Sequence, residues 1–143
     1  MGGCSHAHLP GTTIRQTSDN RPIYDVLEEI RTALEERDSK RLMAVVSRRY
    51  FEDNGTATNR DDFGFLELDG HLMRETLAVA KELELQVQLY DIVVRGDHAH
   101  ADLRYAMRTR MELPGGRFWD THRDFNRIEF AREQGAWKVI SGL

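Results

Sequence analysis

Four long runs rich in β-branched and aromatic residues close this chain, and the joins between them are too short to do anything but reverse it. Leu85–Val94 is followed by Gly96-Asp97, and His98–Glu112 by Pro114-Gly115-Gly116. Arg117–Glu133 ends at Gly135, and Ala136–Ser141 finishes the sequence. Parallel neighbours need a crossover of a dozen residues or more, so these strands must form an antiparallel meander. Strands of about fifteen residues exceed the usual ~5–6 and have to bend, with bulges as the means. A sheet bent in this way encloses a cone with an open mouth, provided that helices fill the rest of its concave side.

The helices come first in the chain. From Pro22 to about Arg37, the apolar residues Ile23, Leu27, Ile30 and Leu34 recur at helical spacing, with Glu28, Glu29, Arg31, Glu35 and Glu36 opposite them. Pro22 suits a first helical turn, and Asp19 or Asn20 can cap it. A second helix is expected from Asp38 or Ser39 to about Arg48, burying Leu42, Val45 and Val46. Asn54-Gly55, flanked by Tyr50, Phe51, Phe63 and Phe65, reads as a short edge hairpin or a loop. A third helix is expected from Gly70 to about Glu84, carrying Leu72, Thr76, Val79 and Leu83 on one face. The fold class is therefore α+β, three N-terminal helices packed on a strongly bent, mainly antiparallel sheet. Residues 1–21 show no period and read as a flexible tail, leaving 22–143 as one domain.

Composition excludes several functions. The 143 residues carry a net charge of −4 with both signs interspersed, which argues against a nucleic-acid partner. No apolar run is long enough to cross a membrane as a helix. The single cysteine, Cys4, rules out an internal disulfide and a cysteine-based zinc site. His98, His100 and Asp102 alternate onto one side of a strand and could hold a divalent ion, but three ligands near a turn read better as a solvated strand face. His6 and His8 fall in the tail. No metal and no cofactor are expected, and no phosphate-binding loop or nucleophile elbow is present.

Several stretches together resemble the nuclear transport factor 2-like superfamily, in particular its SnoaL-like members. They are Ala33-Leu34-Glu35-Glu36-Arg37-Asp38-Ser39-Lys40-Arg41-Leu42 at a helix junction and Gly96-Asp97 before an alternating strand. The closing Phe125-Asn126-Arg127-Ile128-Glu129-Phe130-Ala131-Arg132-Glu133 and Gly135-Ala136-Trp137-Lys138-Val139-Ile140 complete the set. The resemblance spans about Ile23 to Leu143 and is structural rather than catalytic. It implies a cone-shaped cavity and a homodimer built through the sheet, and the superfamily includes isomerases, dehydratases, cyclases and non-catalytic binding domains. Gly2-Gly3-Cys4-Ser5 also resembles the end of a bacterial lipoprotein signal. That implies lipid attachment at Cys4 and a place in the periplasm or cell envelope; the alternative is an ordinary polar start and a cytoplasmic location.

Candidate site residues follow from strand alternation. Ala99, Ala101, Leu103, Tyr105, Met107 and Met111 share one face of the second strand and should line the cone. On the third strand, counting back by twos from Phe130 and Ile128 turns Asn126, Asp124, His122, Asp120 and Phe118 the same way. Asp120 or Asp124 could then act as a general base with His122 orienting it. A bulge between Phe118 and Phe125 would reverse this, sending Trp119 and Phe125 inward and the aspartates to solvent. Tyr24, Tyr50 and His71 could reach the cavity from the helical side, and Tyr105, Met107 and Asn126 would complete a ligand-binding set. The paired donors of the ketosteroid isomerase type cannot all be placed, and Arg123 falls on the face opposite Asp120 and Asp124. The leading expectation is a non-catalytic domain for a small apolar or amphipathic ligand. The alternatives are a cofactor-independent isomerase, dehydratase or cyclase, and a structural dimerisation domain.

Overall fold

A computed structural model describes residues 7–52, 63–70 and 76–143, without the side chains of Phe63 and Thr76. In chain order the elements are α1 (Asn20–Glu35), α2 (Ser39–Met43), β1 (Phe51–Glu52), β2 (Phe63–Gly64), α3 (Phe65–Glu67), α4 (Thr76–Val79), β3 (Ala80–Arg95), β4 (His98–Leu113), β5 (Gly116–Glu133) and β6 (Ala136–Ser141). The sheet is an antiparallel meander in the order β3-β4-β5-β6, and β1 and β2 form a separate two-stranded pair.

The register between β4 and β5 is continuous from His98 opposite Ala131 to Leu113 opposite Gly116. The bulge weighed between Phe118 and Phe125 is therefore absent. Residues directly opposite each other share a face, so Thr109, Met107, Tyr105, Leu103 and Ala101 stand beside Asp120, His122, Asp124, Asn126 and Ile128. Irregularities lie instead in β3, between Ala80 and Glu82 and between Leu89 and Asp91, and in β6, where Ile140 is the extra residue opposite the Glu129–Phe130 step of β5. Extra residues in an edge strand increase local twist, which bends the sheet around α1.

The three-helix expectation needs correction. Only α1 is long. After α2, residues 44–50 turn back so that Ser47 N donates to Val139 O at 2.8 Å and Val139 N to Val45 O at 2.9 Å, which covers the outer edge of β6. Of the helix expected from Gly70 to Glu84, the described residues show α4 at Thr76–Val79, and Ala80–Glu84 is already strand. Leu83, Leu85, Val87 and Leu89 alternate with polar residues, and pairing with β4 satisfies their backbone where a helix would have buried Glu82 and Glu84 beside them. Arg37, just past α1, donates to the carbonyls of Ala80 and Lys81, each at 2.7 Å, and so ties that helix to the bulged start of β3.

Residues 7–19, read as part of a tail, pack on the domain. Leu9 is fully buried and Ile14 packs on the core. Leu9 N donates to Ile14 O and Gln16 N to Ala7 O, both at 2.8 Å, around a turn at Pro10-Gly11. Thr17 and Asn20 then cap α1 reciprocally. Thr17 N donates to Asn20 Oδ1 at 2.8 Å and Asn20 N to Thr17 Oγ at 3.0 Å.

The densest part of the core sits at the narrow end of the bent sheet. Phe130 and Val139 are fully buried there, with Ala101, Ile128 and Trp137 around them and Ile23, Ala33, Leu42 and Val46 from the helical side. Burying a side chain of Phe size contributes about 1.5–3 kcal/mol. Leu27 and Leu34 pack on this core and are only half-buried, because the sheet opens away from α1 at the other end.

Candidate functional site

Where β3, β4 and β5 splay from α1, the fold leaves a cavity of about 380 Å3. One wall is α1, through Leu27, Ile30, Arg31 and Leu34, and the other is the concave sheet, through Leu83, Leu85, Leu103, Met107 and Ile128. Gly142 and Leu143 close one side. The volume falls in the range of small-molecule sites, which are mostly apolar with a few placed polar groups.

Those polar groups can be named. Tyr105, Thr109, Asp120 and Asn126 all reach the cavity. Thr109 is only 6% exposed, and among the described residues neither its hydroxyl nor that of Tyr105 makes a hydrogen bond. Burial, and then the Asp124 carboxylate, raise the Tyr105 phenol above its ordinary value, so it stays a protonated donor at neutral pH. Asn126 Nδ2 donates to Gly142 O, which leaves the amide oxygen as an acceptor toward the cavity. Arg31 also faces the cavity, but Glu28 takes its Nη2 at 2.7 Å and Glu35 its Nη1 at 2.7 Å.

The remaining sequence-derived candidates fall elsewhere. His122 and Asp124 share the face of Asp120 but are exposed and do not line the cavity. The His122 ring lies 5.8 Å from that of Tyr105, tilted by 44°. Asp124 accepts a hydrogen bond from the backbone N–H of Phe125 at 2.8 Å. Tyr24 points to the N-terminal hairpin and donates to Pro10 O at 3.0 Å. Tyr50 is buried, and its hydroxyl accepts from Leu143 N at 2.9 Å while lying 3.1 Å from Glu52 Oε2. Burial pushes that phenol well above its usual value. Tyr50 does not line the cavity but holds Leu143, which does. Cys4 and His71 lie outside the described residues, as does Asn54-Gly55. Asp102 is held by Arg127 at 2.7 and 3.0 Å, and among the described residues no three His, Cys, Asp or Glu side chains gather to hold a metal ion.

Four residues of the cavity wall are not read as such from the sequence pattern. Arg31 was assigned to the polar face of α1, yet Leu27, Ile30, Arg31 and Leu34 follow i, i+3, i+4, i+7 spacing. Thr109 was passed over as polar although it continues the Tyr105–Met107 alternation. Leu83 and Leu85 were divided between a helix and a strand.

No protein-family model matches the sequence, and no curated protein matches it. Solved structures do. A conserved protein from Planctomyces limnophilus aligns with 89% of this chain and 94% of its own at a TM-score of 0.74 and 15% identity. A proposed dehydratase of the NTF2-like family from Streptomyces avermitilis aligns with 87% of this chain and 93% of its own, at 0.66 and 14%. A proposed ketosteroid isomerase from Shewanella frigidimarina aligns with 87% and 95%, at 0.63 and 15%. At such identities the likeness concerns the backbone path and not the chemistry. The single long helix, the bent four-stranded meander and these neighbours agree: the chain has the fold of the nuclear transport factor 2-like superfamily.

Proposed function

We propose that this protein is a non-catalytic binder of a small apolar or amphipathic molecule, held between α1 and the concave face of the sheet. The observation that carries this reading is the cavity of about 380 Å3 walled by leucine, isoleucine and methionine with two unpaired hydroxyls in it. Apolar walls supply affinity by removing ligand surface from water, and the hydroxyls orient whatever polar end the ligand has. Isothermal titration with 1-octanol tests it. Saturable binding is expected, and Met107→Trp, which places an indole in the cavity, should abolish it. Octanol binding that Met107→Trp leaves unchanged would overturn the reading.

Asp120 favours a second reading, a cofactor-independent isomerase, dehydratase or cyclase with this carboxylate as base. Neither His122 nor Asp124 lines the cavity with it, so the acid-base pair would be reduced to one group. Positioned acid-base help is worth about 10²–10⁴ in rate. Under this reading Asp120→Asn removes turnover of a bound substrate; under the binding reading there is no turnover to remove.

The convex face supports a homodimer. Trp119 is 44% exposed and Phe125 55%, and Tyr90 stacks on Phe125 at 5.9 Å. Arg108 lies over the Trp119 ring at 4.4 Å. Aromatic and arginine side chains of this kind are enriched in the centres of protein interfaces.

A further inference from the structure

We propose that the molecule bound in this cavity is a cationic amphiphile: an aliphatic body lying against α1 and an ammonium or similar positively charged head at Asp120. The inference deepens the binding reading and rests on it.

The charges around the cavity carry the argument. Among the described residues the one cationic side chain in its wall, Arg31, is spent on Glu28 and Glu35, and two carboxylates on one guanidinium leave that corner acidic. Asp120 lines the cavity with no hydrogen bond or ion pair of its own among the described residues. Asp124 stands on the same face two residue pairs further along, opposite Tyr105, and outside the cavity lining. His122, between the two aspartates, is the only other ionisable nitrogen on that stretch of the face. An anionic head would meet the unpaired Asp120 carboxylate and an arginine already neutralised, whereas a cationic head would meet a free acceptor.

Hydrogen-bonding capacity points the same way. Thr109, almost wholly buried, presents an unpartnered hydroxyl to the cavity, and Tyr105 presents a second. Asn126 has one amide N–H engaged by Gly142 O and keeps its oxygen and a second N–H. Asp120 can only accept, whereas Asn126 and each hydroxyl can accept as well as donate. An ammonium group has three donors and no acceptor, which suits this set. A carboxylate has acceptors only and would leave Asp120 unanswered.

The test compares three eight-carbon probes by isothermal titration near neutral pH: n-octylamine, 1-octanol and octanoate. The chain is common, so only the head differs. Octylamine is expected to bind about two- to fivefold more tightly than octanol, the upper part of the range for one exposed charge pair, with octanoate weakest. Asp120→Asn, nearly the same shape without the charge, should bring octylamine to the level of octanol. Raising the salt concentration should narrow the gap between the two in the native protein. Octanoate binding as well as octylamine, or equal binding of all three, would overturn the cationic head and leave the binding reading standing. A preference for octylamine that survives Asp120→Asn would also overturn it. Failure of all three probes to bind would remove both.

Discussion

Replacing Gly142 by alanine should detach the end of the chain, and the size of the effect can be worked from the contacts. Gly142 has a φ of +98°, and a Cβ built on it would stand 2.2 Å from Arg127 O and 2.9 Å from Ile128 Cα. Both obstacles are backbone of β5, held in its ladder with β4, so they cannot yield at low cost. The side that can move is the terminal pair itself. Its release breaks three hydrogen bonds: Gly142 N to Glu52 at 2.8 Å, Leu143 N to the Tyr50 hydroxyl at 2.9 Å, and Asn126 to Gly142 O. At about 0.5–1.5 kcal/mol each, the loss is about 2–4 kcal/mol. Release also caps the cost, so deleting residues 142 and 143 should destabilise by a similar amount. Gly96→Ala is the comparison, because Gly96 also has a positive φ, +61°, but open space around it. It should cost only the strain of that conformation, about 1–2 kcal/mol. Urea denaturation of the three variants measures these values. Because Gly142 and Leu143 close one side of the cavity, Gly142→Ala should weaken octanol binding as well, and Gly96→Ala should not. A Gly142→Ala protein no less stable than Gly96→Ala, with octanol binding intact, would refute the reasoning.

Other consequences follow from the core, the ion pairs and the convex face. Phe130→Ala should cost about 3–5 kcal/mol in urea denaturation, because a fully buried ring at the narrow end of the sheet leaves a void that its neighbours cannot fill. Stability should fall as pH drops below the ordinary carboxylate range. Arg127 holds Asp102 low, Arg49 and then Ser47 hold Glu133 low, and Arg41 holds Glu29 low. A carboxyl whose folded value is depressed contributes stability above its unfolded value and loses it as pH falls through the folded one. Denaturation midpoints taken from neutral pH downward should show that slope, and Arg127→Ala should flatten part of it. A homodimer seen by sedimentation should dissociate in the double variant Trp119→Glu, Phe125→Glu; a dimer unaffected by it would place the interface elsewhere.

Much of the fold was legible because it rests on local pattern. The turn signals Gly96-Asp97, Pro114-Gly115-Gly116 and Gly135 separate the strands, and short joins leave only an antiparallel meander. The faces of β4 could be read from its alternation, and those of β5 depended on whether a bulge interrupted it. That question is tertiary: nothing local distinguishes Trp119 and Phe125 facing a core from the same residues exposed on a convex face. The misread helix has a similar origin. Leu72, Thr76, Val79 and Leu83 satisfy a helical period, and Leu83, Leu85, Val87 and Leu89 satisfy a strand period, so Leu83 belongs to both. Pairing with Thr109 of β4 decides between them. Leu9 shows the limit of composition as a guide. One leucine beside Pro10-Gly11 is too little apolar mass to signal a packed segment, yet the turn folds it onto the core. Tyr24 and Tyr50 were candidates because a polar aromatic can face a cavity. Each instead finds a backbone partner in a chain terminus remote in sequence, which no local pattern reports.

The cavity is the centre of this account, and the methionine methyl groups test it most directly. Met107 and Met111 line the cavity, whereas Met43, the last residue of α2, is buried in the core and does not. With the methionine methyls labelled with carbon-13, titration with 1-octanol can be followed by NMR. The Met107 and Met111 resonances should move along a saturable curve, shared by both, while that of Met43 stays in place. Octanol that saturates the protein without moving Met107 or Met111, or that moves Met43 as much as either, would contradict the claim that the space between α1 and the sheet is a ligand site.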